Sequence, residues 1–330
     1  MTQKQQPLGS GFTAASTATD ALKGIDLTGR NVIVTGGHVG LGLETTRALA
    51  DAGASVVVGT RNPDRAAPAL GGIERVEVER LDLMDPSSVD AFAARYTATG
   101  RPLHILVNNA GIMESELARD ARGYESQFAT NHLGHFQLSN ALLPALRAAN
   151  GARIVELSSW GHHLSDIRWD DPHFETSDYD GMVAYGQSKT ANVLFAVELD
   201  RRWSGDGIRG NSLHPGSIVG TNLAPSLTID DQRAMGLVDD AGRPIIDPAR
   251  GMKTPEQGAS TTVWGATSPL LADIGGVYLM DNDVAPIDES TVEFDIASGE
   301  LDTSGGVMPY AVDPESAQRL WELSERLLKA

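Results

Sequence analysis

The chain contains no cysteine in its 330 residues. Disulfides, thiolate nucleophiles, CxxC redox chemistry and cysteine-ligated zinc are therefore excluded. Basic residues are scarce: 26 Lys and Arg stand against 44 Asp and Glu, for a formal net charge of −18. Such a balance disfavours the cationic patch with which proteins hold nucleic acid or an anionic membrane surface. No apolar stretch reaches the roughly 18 unbroken residues that a membrane-spanning helix needs. The start, MTQKQQPLGSGFTAASTATDALKG, has no apolar core of the kind a secretory signal requires. These absences lead to the expectation of a soluble, cytoplasmic protein. What is present is globular composition, with 41% hydrophobic and 21% charged residues and 35 glycines, enough for one large core with many tight turns.

From residue 31 onward, short β-branched runs alternate with helical segments, the mark of βαβ units and a parallel sheet. NVIVTG (31–36), SVVVGT (55–60), VEVERLDL (76–83), HILVNNAG (104–111), RIVELSS (153–159), RGNSLHPG (209–216) and GGVYLMDN (275–282) read as strands. Helices are expected over 43–53, 86–96, 124–149, 184–203 and 255–266. A further amphipathic helix over 313–330 places Leu320, Leu323 and Leu327 near one face, as a cap. The fold class that follows is α/β: a single Rossmann-type, doubly wound parallel sheet of about seven strands with helices on both faces. Residues 29–330 would form this one domain, behind an N-terminal extension over 1–28 whose only periodic piece is a helical turn near 19–23. Two polar stretches, 160–183 and 217–254, break the rhythm and read as substrate-side insertions, because long loops in a compact domain tend to be functional.

TGGHVGLG (35–42) lies between the first strand and the following helix, where glycines let the backbone approach a pyrophosphate and the helix N-terminus supplies N–H groups. Its spacing through Gly36, Gly40 and Gly42 is GxxxGxG, and by itself it could equally be a structural strand–helix turn. The second strand ends Gly59-Thr60-Arg61-Asn62, with no acid to bond an adenine-ribose hydroxyl. Arg61 instead suits a bidentate contact to the 2′-phosphate of NADP, with His38 assisting. Arg61 as a surface charge stacked on adenine would leave NAD open as the alternative. Asp82 is expected beside the adenine edge.

Taken in order, TGGHVGLG, NNAG (108–111), Asn131 in TNHLG, Ser159 in RIVELSS, Tyr185-x-x-x-Lys189 and HPG (214–216) resemble the short-chain dehydrogenase/reductase family. The wording RIVELSSWGHH, with its long spacing to YGQSKTAN, is most similar to the branch of the retinol-dehydrogenase-like and WW-domain-oxidoreductase-like proteins. The resemblance runs from about residue 26 to the end, with a soluble extension where that branch has a membrane anchor. It implies dinucleotide contacts at Gly36, His38, Val39, Gly40, Leu41, Gly42, Arg61, Asp82, Leu83, Asn109, Ala110, Gly111, Tyr185, Lys189, Pro215, Gly216, Ile218 and Thr221. It also implies that Asn131, Ser159, Tyr185 and Lys189 are catalytic, and that the helices over 124–149 and 184–203 form a dimer or tetramer contact unless the terminal extensions cover it.

Tyr185 and Lys189, four apart on one helix, share a face. A nearby ammonium would lower the phenol from its ordinary value near 10 and suit it to move a proton to or from a carbonyl or alcohol oxygen. Ser159, at the strand end, would donate to that same oxygen; Ser158 is the competing assignment and otherwise a backbone-bonding residue. By resemblance, Asn131 lies where a helix carbonyl and a water join Lys189 in a proton relay. No metal site is expected: His132 with His135, and His162, His163 and His173, match no zinc motif. His162 and His163 could line the pocket mouth or be plain surface groups, and Asp170 and Asp171 read as solvated loop charges. The expected activity is NADP(H)-dependent interconversion of a lipophilic carbonyl and an alcohol, with Met235, Leu237, Ile245 and Ile246 as an apolar wall. The alternatives are a non-catalytic NADP(H)-binding redox sensor and an NAD-dependent alcohol dehydrogenase.

Overall fold

The computed structural model describes residues 4–113, 116–218, 223, 228–290 and 305–329. Strands β1 (Asn31–Thr35), β2 (Ser55–Thr60), β3 (Val76–Arg80), β4 (Ile105–Asn108), β5 (Ala152–Leu157), β6 (Ile208–Leu213), β7 (Tyr278–Met280) and β8 (Asp283–Val284) form one sheet. Their order is β3-β2-β1-β4-β5-β6-β7-β8. Neighbours from β3 to β7 run parallel, and β8 returns antiparallel to β7. The central strands are near-continuous Val/Ile/Leu runs because helices cover both faces.

The helices are α1 (Ala18–Ala21), α2 (Gly40–Asp51), α3 (Pro63–Leu70), α4 (Pro86–Ala98), α5 (Ser126–Phe128) and α6 (Gly134–Ala141). They continue with α7 (Leu143–Ala148), α8 (Gly181–Trp203), α9 (Ile229–Ala234), α10 (Pro255–Thr267) and α11 (Pro314–Lys329). One apolar layer joins α1, α2 and α10 to the sheet through Leu49, Ala50, Val263 and Trp264. The other joins α4, α6, α7 and α8 to it through Phe92, Phe136, Leu146 and Phe195. Strand order reverses between β1 and β4, which opens a crevice beyond the carboxyl ends of the strands.

Several details differ from the sequence expectation. An eighth strand follows β7 through a tight turn in which Asp281 and Asn282 take φ values of 52° and 62°, and two residues are too few to show a period. Helix α3 is additional; its prolines, Pro63 in the first turn and Pro68 inside, hide it, while Asn62 caps it by accepting from the Arg65 N–H. The segment expected as one helix over 124–149 is α5, a five-residue π turn (Ala129–Leu133), α6 and α7 in succession. Residues 5–10 are tied down. The Gln5 amide bonds the backbone of Tyr278 and Ala285, and the Asp283 carboxylate accepts from the N–H groups of Leu8, Gly9 and Ser10, so the β8 edge is covered.

Helix α11 lies across α6 and α8. Trp321 packs against Phe136, Phe195 and Trp203, and Ser324 meets His132 at 2.7 Å. Among the described residues, no helix is long and apolar enough to cross a membrane.

Candidate active site

The crevice is a cleft of about 680 Å³ running from β2 past the β1–α2 turn to the ends of β5 and β6. Gly36 turns at φ 65°, a left-handed value that L side chains resist. A Cβ on Gly42 would sit 2.4 Å from the Gly36 carbonyl oxygen and 2.6 Å from Asn109 Nδ2, so α2 can begin there only with glycine. Val39 at the N-cap supplies no side-chain bond, which leaves the first N–H groups of α2 turned to the cleft. Thr35 Oγ1 accepts from the N–H groups of Asn109 and Ala110, each at 2.9 Å, and Asn109 Nδ2 donates to the Thr35 carbonyl at 2.8 Å. The switch point is thereby laced shut behind a backbone cradle whose open donors suit a pyrophosphate.

At the β2 end of the cleft three basic side chains converge. Arg61, Arg65 and His38 line it, and among the described residues neither guanidinium has an acid partner. Burial, then the charges of Arg61 and Arg65, lower the His38 imidazole, and its Nδ1 is buried without a partner. Three unpaired groups of this kind around one corner suit a dianionic phosphate. Arg65 is not evident from the sequence, because it reaches the cleft only through the first turn of α3.

At the other end stand Ser159, Tyr185 and Lys189. Asp180 caps α8 by accepting from the Met182 and Val183 N–H groups, and the helix carries Tyr185 and Lys189 on one face, both nearly buried. Burial pushes the Tyr185 phenol up to about 12, and a hydrogen bond with Ser159 opposes this. Lys189 Nζ lies 5.5 Å from the Tyr185 ring centre and donates to the Leu157 carbonyl at 3.1 Å. Burial brings this ammonium down to about 8. Ser158 and Ser159 both line the cleft; Ser159 Oγ accepts from the Gly161 N–H at 3.0 Å, and Ser158 Oγ donates to the Lys189 carbonyl at 2.8 Å.

Asn131 sits in the π turn behind the cleft. Its amide bonds the Ile112 N–H and carbonyl at 2.9 and 3.0 Å and donates to Ser188 Oγ at 2.9 Å. Its carbonyl is 2.9 Å from His135 Nδ1. A Cβ on Gly111 would lie 3.3 Å from Asn131 Oδ1 and 3.5 Å from Lys189 Nζ, so the two catalytic candidates flank that glycine. Gly161, silent in the sequence, fits Tyr185: a Cβ there would come within 2.8 Å of the ring.

Gly36, His38, Val39, Gly40, Leu41, Gly42, Arg61, Asp82, Leu83, Asn109, Ala110, Gly111, Pro215, Gly216 and Ile218 line the same cleft, and Thr221 lies outside the described residues. Met235, Leu237, Ile245 and Ile246 do not line it; they belong to a small excursion closed by Val238 and Pro244. Leu223 does line it, and its carbonyl accepts from the Met113 N–H across the opening. His162 and His163 sit behind Ser159 with their Nδ1 atoms at the carbonyls of Ser159 and Trp160. They therefore brace the Ser159 turn.

The short chain dehydrogenase family model matches residues 30–171. The "Probable oxidoreductase" of Streptomyces antibioticus is 48% identical over 313 residues, spanning 93% of this chain and 100% of that one. The WW domain-containing oxidoreductase of Danio rerio is 36% identical over 325 residues, 94% of this chain and 71% of that one. Short-chain dehydrogenase/reductase prx1 of Penicillium rubens is 35% identical over 328 residues, 96% and 91% of the two chains.

Proposed function

This chain belongs to the short-chain dehydrogenase/reductase family, in the branch of the WW domain-containing oxidoreductases, and from that premise we propose that it is an NADP(H)-dependent oxidoreductase interconverting a lipophilic carbonyl compound and an alcohol. The observation that carries the reading is the pairing, in one cleft, of Ser159, Tyr185 and Lys189 at one end with the unpaired bases Arg61, Arg65 and His38 at the other. Bound between them, the dinucleotide would supply or accept the hydride. The chain's own residues do the rest. Ser159, with Gly161 already bonded to one lone pair, keeps its proton for the substrate oxygen. Tyr185, whose phenol is held in its protonated form more firmly by burial, gives that proton to the oxygen in reduction; in oxidation the phenolate, formed by prior loss of the proton, takes one from the alcohol. Lys189 would grip the ribose side; the lowering of the phenol expected of its ammonium is outweighed, since burial raises that group. Ile112 and Leu223 line the cleft as apolar side chains, which suits a lipophilic substrate. The test is cofactor consumption with NADPH and NADH against aromatic and aliphatic ketones and aldehydes. NADPH should be consumed with the apolar members; binding of NADPH without consumption of any carbonyl would favour a redox sensor.

Gly161→Ala probes the site's fit. The added methyl meets the Tyr185 ring, so turnover should fall about tenfold, because sub-ångström misplacement of a proton donor is costly, while NADPH affinity stays within about twofold. Unchanged kcat would show that the ring has room.

We also propose that the chain is a monomer. The face of α6 and α8 that resemblance assigns to a dimer contact is occupied by α11, through Trp321, Leu320 and Ala317. Sedimentation should give the 35.0 kDa of one chain. A species of twice that mass, unaffected by Trp321→Ala, would place a dimer contact elsewhere and reject the role given to α11.

A further inference from the structure

Beneath the active site, the face of the sheet turned to α8 carries polar side chains where its neighbours are aliphatic. Asn108 on β4, Glu156 on β5 and Ser212 on β6 are register partners, and all three are fully buried. Asn192 of α8 approaches from above and donates to the Leu157 carbonyl, the same oxygen that Lys189 Nζ bonds. Four atoms of this group have no hydrogen-bond partner: Asn108 Oδ1, Glu156 Oε2, Asn192 Oδ1 and Ser212 Oγ. The Glu156 carboxyl is bonded on one oxygen, by the Asn108 amide at 2.5 Å, and Asn108 also reaches Ser139 Oγ at 3.0 Å.

An ionised carboxylate with one amide donor, no contacting cation and no water-facing surface is strongly disfavoured, whereas the same group with a proton is not. The contact itself agrees. A separation of 2.5 Å is too short for N–H···O and lies at the short end of the range for O–H···O, and the Asn108 amide turned end for end would accept the Glu156 proton.

We propose that Glu156 holds a proton at neutral pH and serves as a positioning residue for the proton chemistry of Tyr185, acting through the charge of Lys189. The proposal rests on the reading of Tyr185 as acid/base. While Glu156 is neutral, the Glu156–Lys189 pair carries one whole positive charge beside the phenol. When Glu156 ionises, the pair becomes neutral overall and its anion holds the ammonium proton in place. Burial raises Glu156 to about 8, and the charges of Glu156 and Lys189 pull each other back toward their ionised forms. The remaining neighbours do not share this titration. His135, facing Lys189 from α6, is pushed down to about 4 by burial and is neutral, and Ser139, Ser212 and Asn192 do not ionise.

Difference infrared spectroscopy of the full chain at pH 7 tests the proton directly. Wild type should show a deuterium-sensitive carboxylic acid band that Glu156→Gln lacks and Asn108→Ser shifts without removing; the second variant keeps the test open should the first fail to fold. The kinetic arm is the pH profile of kcat/KM. With Gln no anion develops beside Lys189, so its proton leaves earlier and the alkaline limb should move down by about one pH unit. A purely structural role for Glu156 would lower the whole profile without moving the limb. Absence of the band in wild type, or an unmoved limb in Glu156→Gln, overturns the proposal. Should no carbonyl or alcohol turn over, the oxidoreductase reading fails by itself. The band, with the pH dependence of NADPH binding as the second readout, then still decides for or against Glu156.

Discussion

Tyr185→Phe should lower turnover by about 10³-fold while NADPH affinity stays within about twofold. The magnitude is that of a positioned general acid, which contributes on the order of 10² to 10⁴ in rate. The ring of Tyr185 is buried against Gly161, and a phenylalanine ring fills that space without strain. Removing the hydroxyl costs one hydrogen bond to Ser159, whose oxygen still accepts from the Gly161 N–H, so the Ser159 turn keeps its shape. Lys189 likewise keeps its bond to the Leu157 carbonyl. The variant therefore separates proton transfer from binding. Measuring kcat together with the NADPH dissociation constant checks it: turnover within tenfold of wild type would mean that some other group supplies the proton, and a matching loss of NADPH affinity would mean that the hydroxyl holds the cofactor.

How far the sequence discloses such a site depends on whether the signal is local. Tyr185 and Lys189 are legible because one helix period sets them on one face. Ser159 and Ser158 are not told apart by any period: both line the cleft, and the structure adds that Ser158 Oγ is bonded to the Lys189 carbonyl. Other residues work only through tertiary contacts. Gly161 is one glycine among 35 until the Tyr185 ring is seen against it. Arg65 reaches the cleft because Asn62 starts α3, a helix masked by two prolines. In RIVELSS nothing singles out Glu156; only the closure of α6 and α8 over the sheet makes it a buried carboxyl. The π turn around Asn131 leaves no period to find. The apolar wall expected at Met235, Leu237, Ile245 and Ile246 misplaced the substrate side, because hydrophobicity in a loop does not say which way the loop folds. The amphipathic stripe of α11 announces a helix with an apolar face, but not that this face is spent on α6 and α8.

The double variant Arg61→Ala/Arg65→Ala should weaken NADPH binding about 100-fold relative to NADH. A hydrogen bond to a charged group is worth about 1.5–3 kcal/mol; at a corner open to water solvent screening holds each of the two somewhat below the lower end, and about 2.7 kcal/mol in total corresponds to 100-fold. The two guanidiniums are exposed and unpaired among the described residues, so their loss orphans no acid and should leave the fold intact. Helix α3 also keeps its start, since the Asn62 cap accepts from the backbone N–H at position 65 and not from the side chain. His38 remains, and with Arg61 and Arg65 gone the repulsion that lowers its imidazole is relieved. Protonation of His38 then becomes easier at mildly acidic pH, so the residual preference for NADPH should grow as pH falls, a trend that wild type, with two permanent charges, shows more weakly. Dissociation constants for NADPH and NADH at two pH values decide the matter. Equal losses for both dinucleotides would assign the arginines to the adenine or pyrophosphate that the two share, and would return the choice of cofactor to the backbone at Thr60 and Asn62.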